Sequence, residues 1–328
     1  MEKRNTTIDL AKYIASIMIV AIHTGVFSEV HETLSFVVVH VICRMAVPFF
    51  AVCSGYFLVS QMEFDVTLRG NRHNRAVFLK QWTKLVQLYG VWTILYLFYS
   101  IPMWIDIGWF SPFAFVDYAV SAVTKGSHYH FWYLWGMIYT LPLFYVFLRS
   151  CRRKYWVMVI VFLWGLKVMG YSYSSGIPKY LVTVLDKMGT LLCLLPLLLL
   201  GAVIRLQKQK SLQFYIIGLL LSLTGLAAEA FFLKSKGQDA VSYIIFTLPV
   251  AYFLFCSLLK VRMEKAETLT RKLGAVSLFI YCVHPMLVEL TDDMFRSSLG
   301  YFCFVSAVST ALGFGYHYVR KKVKLCST

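Results

Sequence analysis

Ten ionisable side chains interrupt long apolar runs in this 328-residue chain: Asp9, Lys12, His23, His40, Arg44, His130, Lys167, Glu229, His284 and Glu289. If those runs lie in lipid, each such group costs roughly 3 kcal/mol or more unless it is paired or hydrated. Each is therefore a candidate for chemistry. A neutral imidazole in a partly desolvated site is a suitable general base near neutral pH, which is one role for His23. The other is a hydrogen bond between helices. Arg44 is the sharper signal, because a guanidinium stays charged at every depth and must meet an anion, carbonyl groups or water.

A helix rises about 1.5 Å per residue, which converts position into depth. His23 falls roughly 22 Å along the first apolar run, in its outer half, and Arg44 about 15 Å into the second, near the midplane. His284 also falls near the midplane, with Glu229 and Glu289 in the outer half. These groups define one layer from the bilayer centre outward, consistent with a water-filled cavity open to the extracytoplasmic side. Asp9 is about 21 Å from His23 along the same helix, so the two form no dyad. It stands one turn from Lys12, and local pairing at the cytoplasmic interface is expected. Lys167, near the end of its run, is expected to snorkel.

The elements that position these groups are set by composition. Hydrophobic residues make up 59% of the chain and charged ones 15%, with mean hydropathy +0.66. A soluble domain carries about 25% charged residues, and no globule of this length hides so much apolar surface. The expected fold class is all-α: a polytopic integral membrane helical bundle forming one membrane domain over 1–328, with about ten spans of ~20 residues each. The runs are 8–27, 34–58, 83–104, 131–148, 155–171, 189–206, 212–233, 241–259, 273–291 and 301–319. Pro48 and Gly55 predict a kink or break in the second.

The net charge of +16 does not mark a nucleic-acid protein. Its basic residues fall in short clusters between apolar runs (Arg69, Arg72, Arg75; Arg149, Arg152, Arg153, Lys154; Arg320, Lys321, Lys322, Lys324). A contiguous basic face with stacking aromatics is missing. With the N-terminus inside, 23 of the 32 Lys and Arg lie on the inner side, counting Lys84 and Arg205 at span ends, and 6 lie outside. Both termini are therefore expected in the cytoplasm of a multi-pass cell-membrane protein. The first run is read as a retained helix rather than a cleaved signal. The outer segment 105–130 is aromatic, and 112–123 predicts an interfacial helix. The eight cysteines show no CxxC or Cys/His spacing, so neither a metal nor a resident cofactor is expected.

Four motifs occur in order. They are Ile8-Asp9-Leu10-Ala11-Lys12 with Val20-Ala21-Ile22-His23, then Arg44-Met45-Ala46-Val47-Pro48-Phe49-Phe50 leading to Ser54-Gly55-Tyr56. His130-Phe131-Trp132-Tyr133-Leu134 follows, and Ser277-Leu278-Phe279-Ile280-Tyr281-Cys282-Val283-His284-Pro285 comes last. Together they resemble the acyltransferase-3 family of polytopic membrane acyltransferases, through essentially the whole chain. Ala228-Glu229-Ala230-Phe231-Phe232 adds a likeness to the membrane domain of vancomycin-resistance-type serine racemases. No racemase domain lies within these residues, and an Arg-Asn pair expected ahead of the sixth span is replaced by the neighbourhood of Lys187 and Thr190.

The resemblance implies transfer of an acyl group, with acetyl expected, from acyl-CoA to a hydroxyl of a cell-surface glycan or lipid-linked sugar. It implies catalysis by His23, with Arg44 near the donor or acyl intermediate. Ser54, His130, Trp132, Tyr133 and His284 would line the cavity as substrate contacts, and Glu229 joins them by depth. CoA phosphates would favour basic loops such as 69–84. The alternative from another class is a transporter or delivery module for a small polar solute such as serine, and a third is a structural membrane partner without chemistry.

Overall fold

The computed structural model describes residues 5–63, 72–238, 242–261, 263 and 267–326. Every regular element among them is helical. In chain order these are α1 (Thr6–Thr24), α2 (Glu32–Ser35), α3 (Ala46–Ser60), α4 (Arg72–Asp106), α5 (Pro112–Thr124), α6 (Trp132–Ser150), α7 (Trp156–Tyr171), α8 (Lys179–Lys187), α9 (Gly189–Leu206), α10 (Leu212–Ser235), α11 (Thr247–Lys260), α12 (Glu267–Thr291) and α13 (Ser298–Cys326). Nine helical stretches among the described residues are long and apolar enough to cross a membrane. The protein is a multi-pass all-α membrane bundle. Of the ten expected spans, 241–259 is the one that shrinks: residue 241 lies outside the described residues, and the helix starts only at Thr247, giving 14 residues.

The chain forms two compact units, Met1–Phe50 with Lys208–Thr328, and Ala51–Gln207. In the first, α1 lies along α12, and α12 in turn lies along α13. Their core is Val20 with Val276, Ile280, Tyr301 and Val305. Gly274 lets the two helices approach, since a Cβ there would stand 2.7 Å from the Cβ of Asp9. Asn5 caps α1 by accepting from the Thr7 and Ile8 amides at 3.0 and 3.3 Å. The same turn donates to the open carbonyl end of α11: the Thr7 hydroxyl to Val261 at 2.7 Å and the Asn5 amide to Leu259 at 3.3 Å.

The second run is distorted upstream of where Pro48 and Gly55 place the break. α3 continues through both residues, whereas Phe36–Ile42 is a π-helix and Cys43–Met45 a 3-10 turn. Pro48 stands in the first turn of α3 and has no N–H to give the carbonyl four residues earlier, that of Arg44. The disturbance therefore lands on the turn that carries the arginine.

In the second unit, Gly55 of α3 and Gly201 of α9 mark a backbone crossing. A Cβ on Gly55 would overlap the Leu198 carbonyl, and one on Gly201 would overlap that of Val52. Small residues are what allow such contact between membrane helices. Pro142 within α6 cannot donate to the Ile138 carbonyl, and the Trp82 indole of α4 fills that place at 2.8 Å. α5 forms over the predicted interfacial segment, with Phe113, Val116, Val120 and Val123 exposed along one face. It is tied to α4 by bonds from the Tyr89 hydroxyl to Ala122 and from Tyr118 to Thr93, both 2.7 Å.

Candidate functional site

Within the first unit the structure brings His23 and His284 together. His23 lies in the last turn of α1, which Gly25 closes in a left-handed conformation (φ 58°). His284 lies in α12 just before Pro285. Their ring centroids are 5.2 Å apart with the planes at 40°. The shared α1–α12 core holds this contact, so it depends on two packed helices rather than on a loop. His284 is fully buried, and its Nδ1 lies 3.0 Å from the Ile280 carbonyl oxygen.

Arg44 sits in the 3-10 turn that packs against α1. Cys43 beside it is buried with Ala21, Val26 and Val39, which anchors the turn to the helix bearing His23. The Arg44 side chain is half-buried, and its Nε is a buried donor with no hydrogen-bond partner among the described residues. Such a donor is unusual in a native interior and marks where an anion or carbonyl oxygen would be held. The π-helix ahead of it packs on α10 through Phe36 and Phe231, whose rings are 5.6 Å apart. Lys234 lies over the Phe36 ring at 4.7 Å and pairs with Glu32 at 2.8 Å.

Glu229 has a structural task not evident from its depth. Its two carboxylate oxygens accept from the Ile245 and Phe246 amides, each at 2.9 Å, at the start of α11. A carboxylate there meets the positive end of the helix and its open donors. Asp9 is buried with Lys12 3.9 Å away, the expected local pair. Glu289 is exposed.

In the second unit Ser54 is hydrogen-bonded to the buried Tyr133. Trp132 beside it is half-buried. His130 is 3% exposed, and its Nδ1 lies 3.0 Å from that of His128, with Tyr96 beneath both rings at 5.2 and 4.7 Å. His128 and Tyr96 were outside the sequence-based set. The alternation of two histidines in His128-Tyr129-His130 was the available signal for the first of them. Lys167 departs from expectation: it is 8% exposed rather than snorkelling, with its ammonium 5.0 Å from the Tyr171 ring centroid. Gly189 makes the room, because a Cβ there would stand 3.0 Å from Lys167 Nζ. In the basic segment 69–84, Arg69 lies outside the described residues, while Arg72, Arg75, Lys80 and Lys84 are exposed on α4. The side chains of Lys321 and Lys324 are likewise outside them.

Residues 5–318 match the family model described as the Acyltransferase domain. Among curated proteins the chain is 26% identical over 321 residues to an amino-acid racemase of Enterococcus faecalis, covering 90% of this chain and 42% of the relative. A second amino-acid racemase of that organism is 29% identical over 173 residues, 52% of this chain and 22% of the relative. A serine/alanine racemase of Enterococcus gallinarum is 26% identical over 307 residues, covering 88% and 41%. The chain thus spans less than half the length of each of these relatives. No solved structure matches it.

Proposed function

Because the chain belongs to the acyltransferase-3 family, whose domain it matches from residue 5 to 318, we propose that it moves an acyl group, acetyl first among candidates, from acyl-CoA to a hydroxyl of a surface glycan or lipid-linked sugar. The observation that carries this reading is the His23–His284 contact, held between two packed helices on the unit that also holds the unsatisfied Arg44 donor. A sugar hydroxyl is too weak an acid to lose its proton unaided near neutral pH, so a base must take it as the oxygen attacks. In the proposed step His23 takes the proton and the oxygen bonds to the thioester carbonyl carbon. Arg44 donates to the oxyanion that develops. The carbon–sulfur bond then breaks, and CoA leaves as the thiol with the proton that His23 held.

Ser54, His130, Trp132 and Tyr133 are assigned to substrate contact, and the exposed bases of α4 to the CoA phosphates. The charge distribution supports both termini on the cytoplasmic side of the cell membrane, which would let CoA approach from within. Glu229 is reassigned from substrate contact to holding the start of α11. The test uses purified protein in liposomes, labelled acetyl-CoA and a panel of surface glycans, with His23→Ala alongside. Label should pass to one glycan class and stop in the variant; transfer that survives the substitution would sink the assignment of His23.

A second reading has one observation behind it. The relatives just described are named as racemases, and this chain aligns with under half of each. On that reading the domain delivers a small polar amino acid such as serine across the membrane. Uptake of labelled serine by the same liposomes, with no acyl transfer to any glycan, would select it.

A further inference from the structure

The backbone fixes the tautomer of His284. A carbonyl oxygen only accepts, so in the 3.0 Å contact with Ile280 the proton belongs to His284 Nδ1. In the neutral ring Nε2 then carries the lone pair. This ring is fully buried and lies in contact with His23, the two centroids 5.2 Å apart. An imidazole held in one tautomer by its own helix and packed against a second imidazole can fix how that second ring lies.

The other titratable or charged groups around the pair can be named by element. On α12 the Tyr281 ring is 6.2 Å from His284, and Glu289 is exposed. From α13, Tyr301 packs on Val20 and Ile280 and donates its hydroxyl to the Val288 carbonyl. The turn against α1 brings Cys43 and Arg44. Glu29, beyond α1, accepts from the Ser298 amide at 3.3 Å. Asp9 and Lys12 lie at the other end of α1.

We infer that His284 is a positioning residue for His23, holding its ring in place and sharing the proton that His23 takes from the acceptor hydroxyl until it passes to the departing thiol. This rests on the reading of His23 as the base. Its test separates the two nitrogens of His284. His284→Asn puts an amide donor near the place of Nδ1, able to keep the bond to Ile280, but has nothing at Nε2. His284→Gln puts an amide near Nε2.

In liposomes with labelled acetyl-CoA, His284→Asn should lower kcat about 10- to 100-fold with KM little changed, the scale seen when an orienting partner is lost. The pH limb of kcat should move, and His284→Gln should recover part of the rate. Wild-type kcat and pH limb in His284→Asn, with His23→Ala inactive, would overturn the positioning role and leave the base intact. Transfer surviving His23→Ala would instead overturn the reading beneath it. Should the variants fail to fold, the nitrogen-15 spectrum of labelled wild-type protein decides: a neutral His284 protonated at Nδ1 agrees, and one protonated at Nε2 overturns the inference.

Discussion

Two histidine pairs occupy the two units, and they are built differently. His23 and His284 are 261 residues apart in sequence and meet with their rings tilted at 40°, the Nδ1 of His284 committed to the Ile280 carbonyl. His128 and His130 sit two residues apart at the entry to α6, and their Nδ1 atoms are 3.0 Å from each other. One of those two nitrogens must donate and the other accept, so each ring commits a nitrogen to its neighbour. The first pair meets through packing between two helices, while the second is joined by a hydrogen bond across a turn over Tyr96. The difference teaches that histidine count and burial do not locate a base. The elements that bring the two rings together are what separate the pairs.

The comparison breaks most directly at His23. His23→Ala should lower acyl transfer by about 10²- to 10⁴-fold, the usual contribution of a general base, while the thermal midpoint in detergent changes little. Arg44→Lys should follow at about 10²- to 10³-fold, because an ammonium keeps the charge but not the planar fork of donors. A single-turnover assay with labelled acetyl-CoA reads both. If Arg44→Lys transfers at the wild-type rate, the buried Nε is not holding a reacting oxygen. The crossing of α3 and α9 in the second unit should respond in stability. Gly55→Val drives a branched side chain into the Leu198 carbonyl and should cost about 1–3 kcal/mol, seen as a lowered midpoint. An unchanged midpoint would mean that α3 and α9 do not cross there.

Much of this frame is legible in the sequence. The apolar runs locate the spans because backbone groups in lipid must be satisfied within the helix, which makes hydropathy a direct reading of structure. His23, Arg44 and His284 stand out because charge and polarity are costly in such runs. The contact between His23 and His284 is not legible, since it depends on Gly274 letting α12 close onto Asp9 at the far end of α1. Glu229 misleads for a related reason. Its depth resembles that of the histidines, but the local start of α11 claims both of its oxygens. The irregular segment shifts upstream because proline acts on the carbonyl four residues before it, a displacement that residue type alone does not convey.

The smallest expected effect sharpens the contrast between the pairs. His128→Phe preserves an aromatic ring over Tyr96, whose centroid is 4.7 Å from that of His128, and removes both ring nitrogens, including the one facing His130. His130 is 3% exposed, so its Nδ1 would be left without this partner in the interior. A buried group deprived of one hydrogen bond costs about 1–3 kcal/mol, and the midpoint should fall accordingly. Transfer by the protein that remains folded should stay within about tenfold of wild type, because a brace on a turn orients side chains without taking a proton. A loss on the scale of His23→Ala with an unmoved midpoint would reverse the comparison and make the pair at the entry to α6 the chemical one.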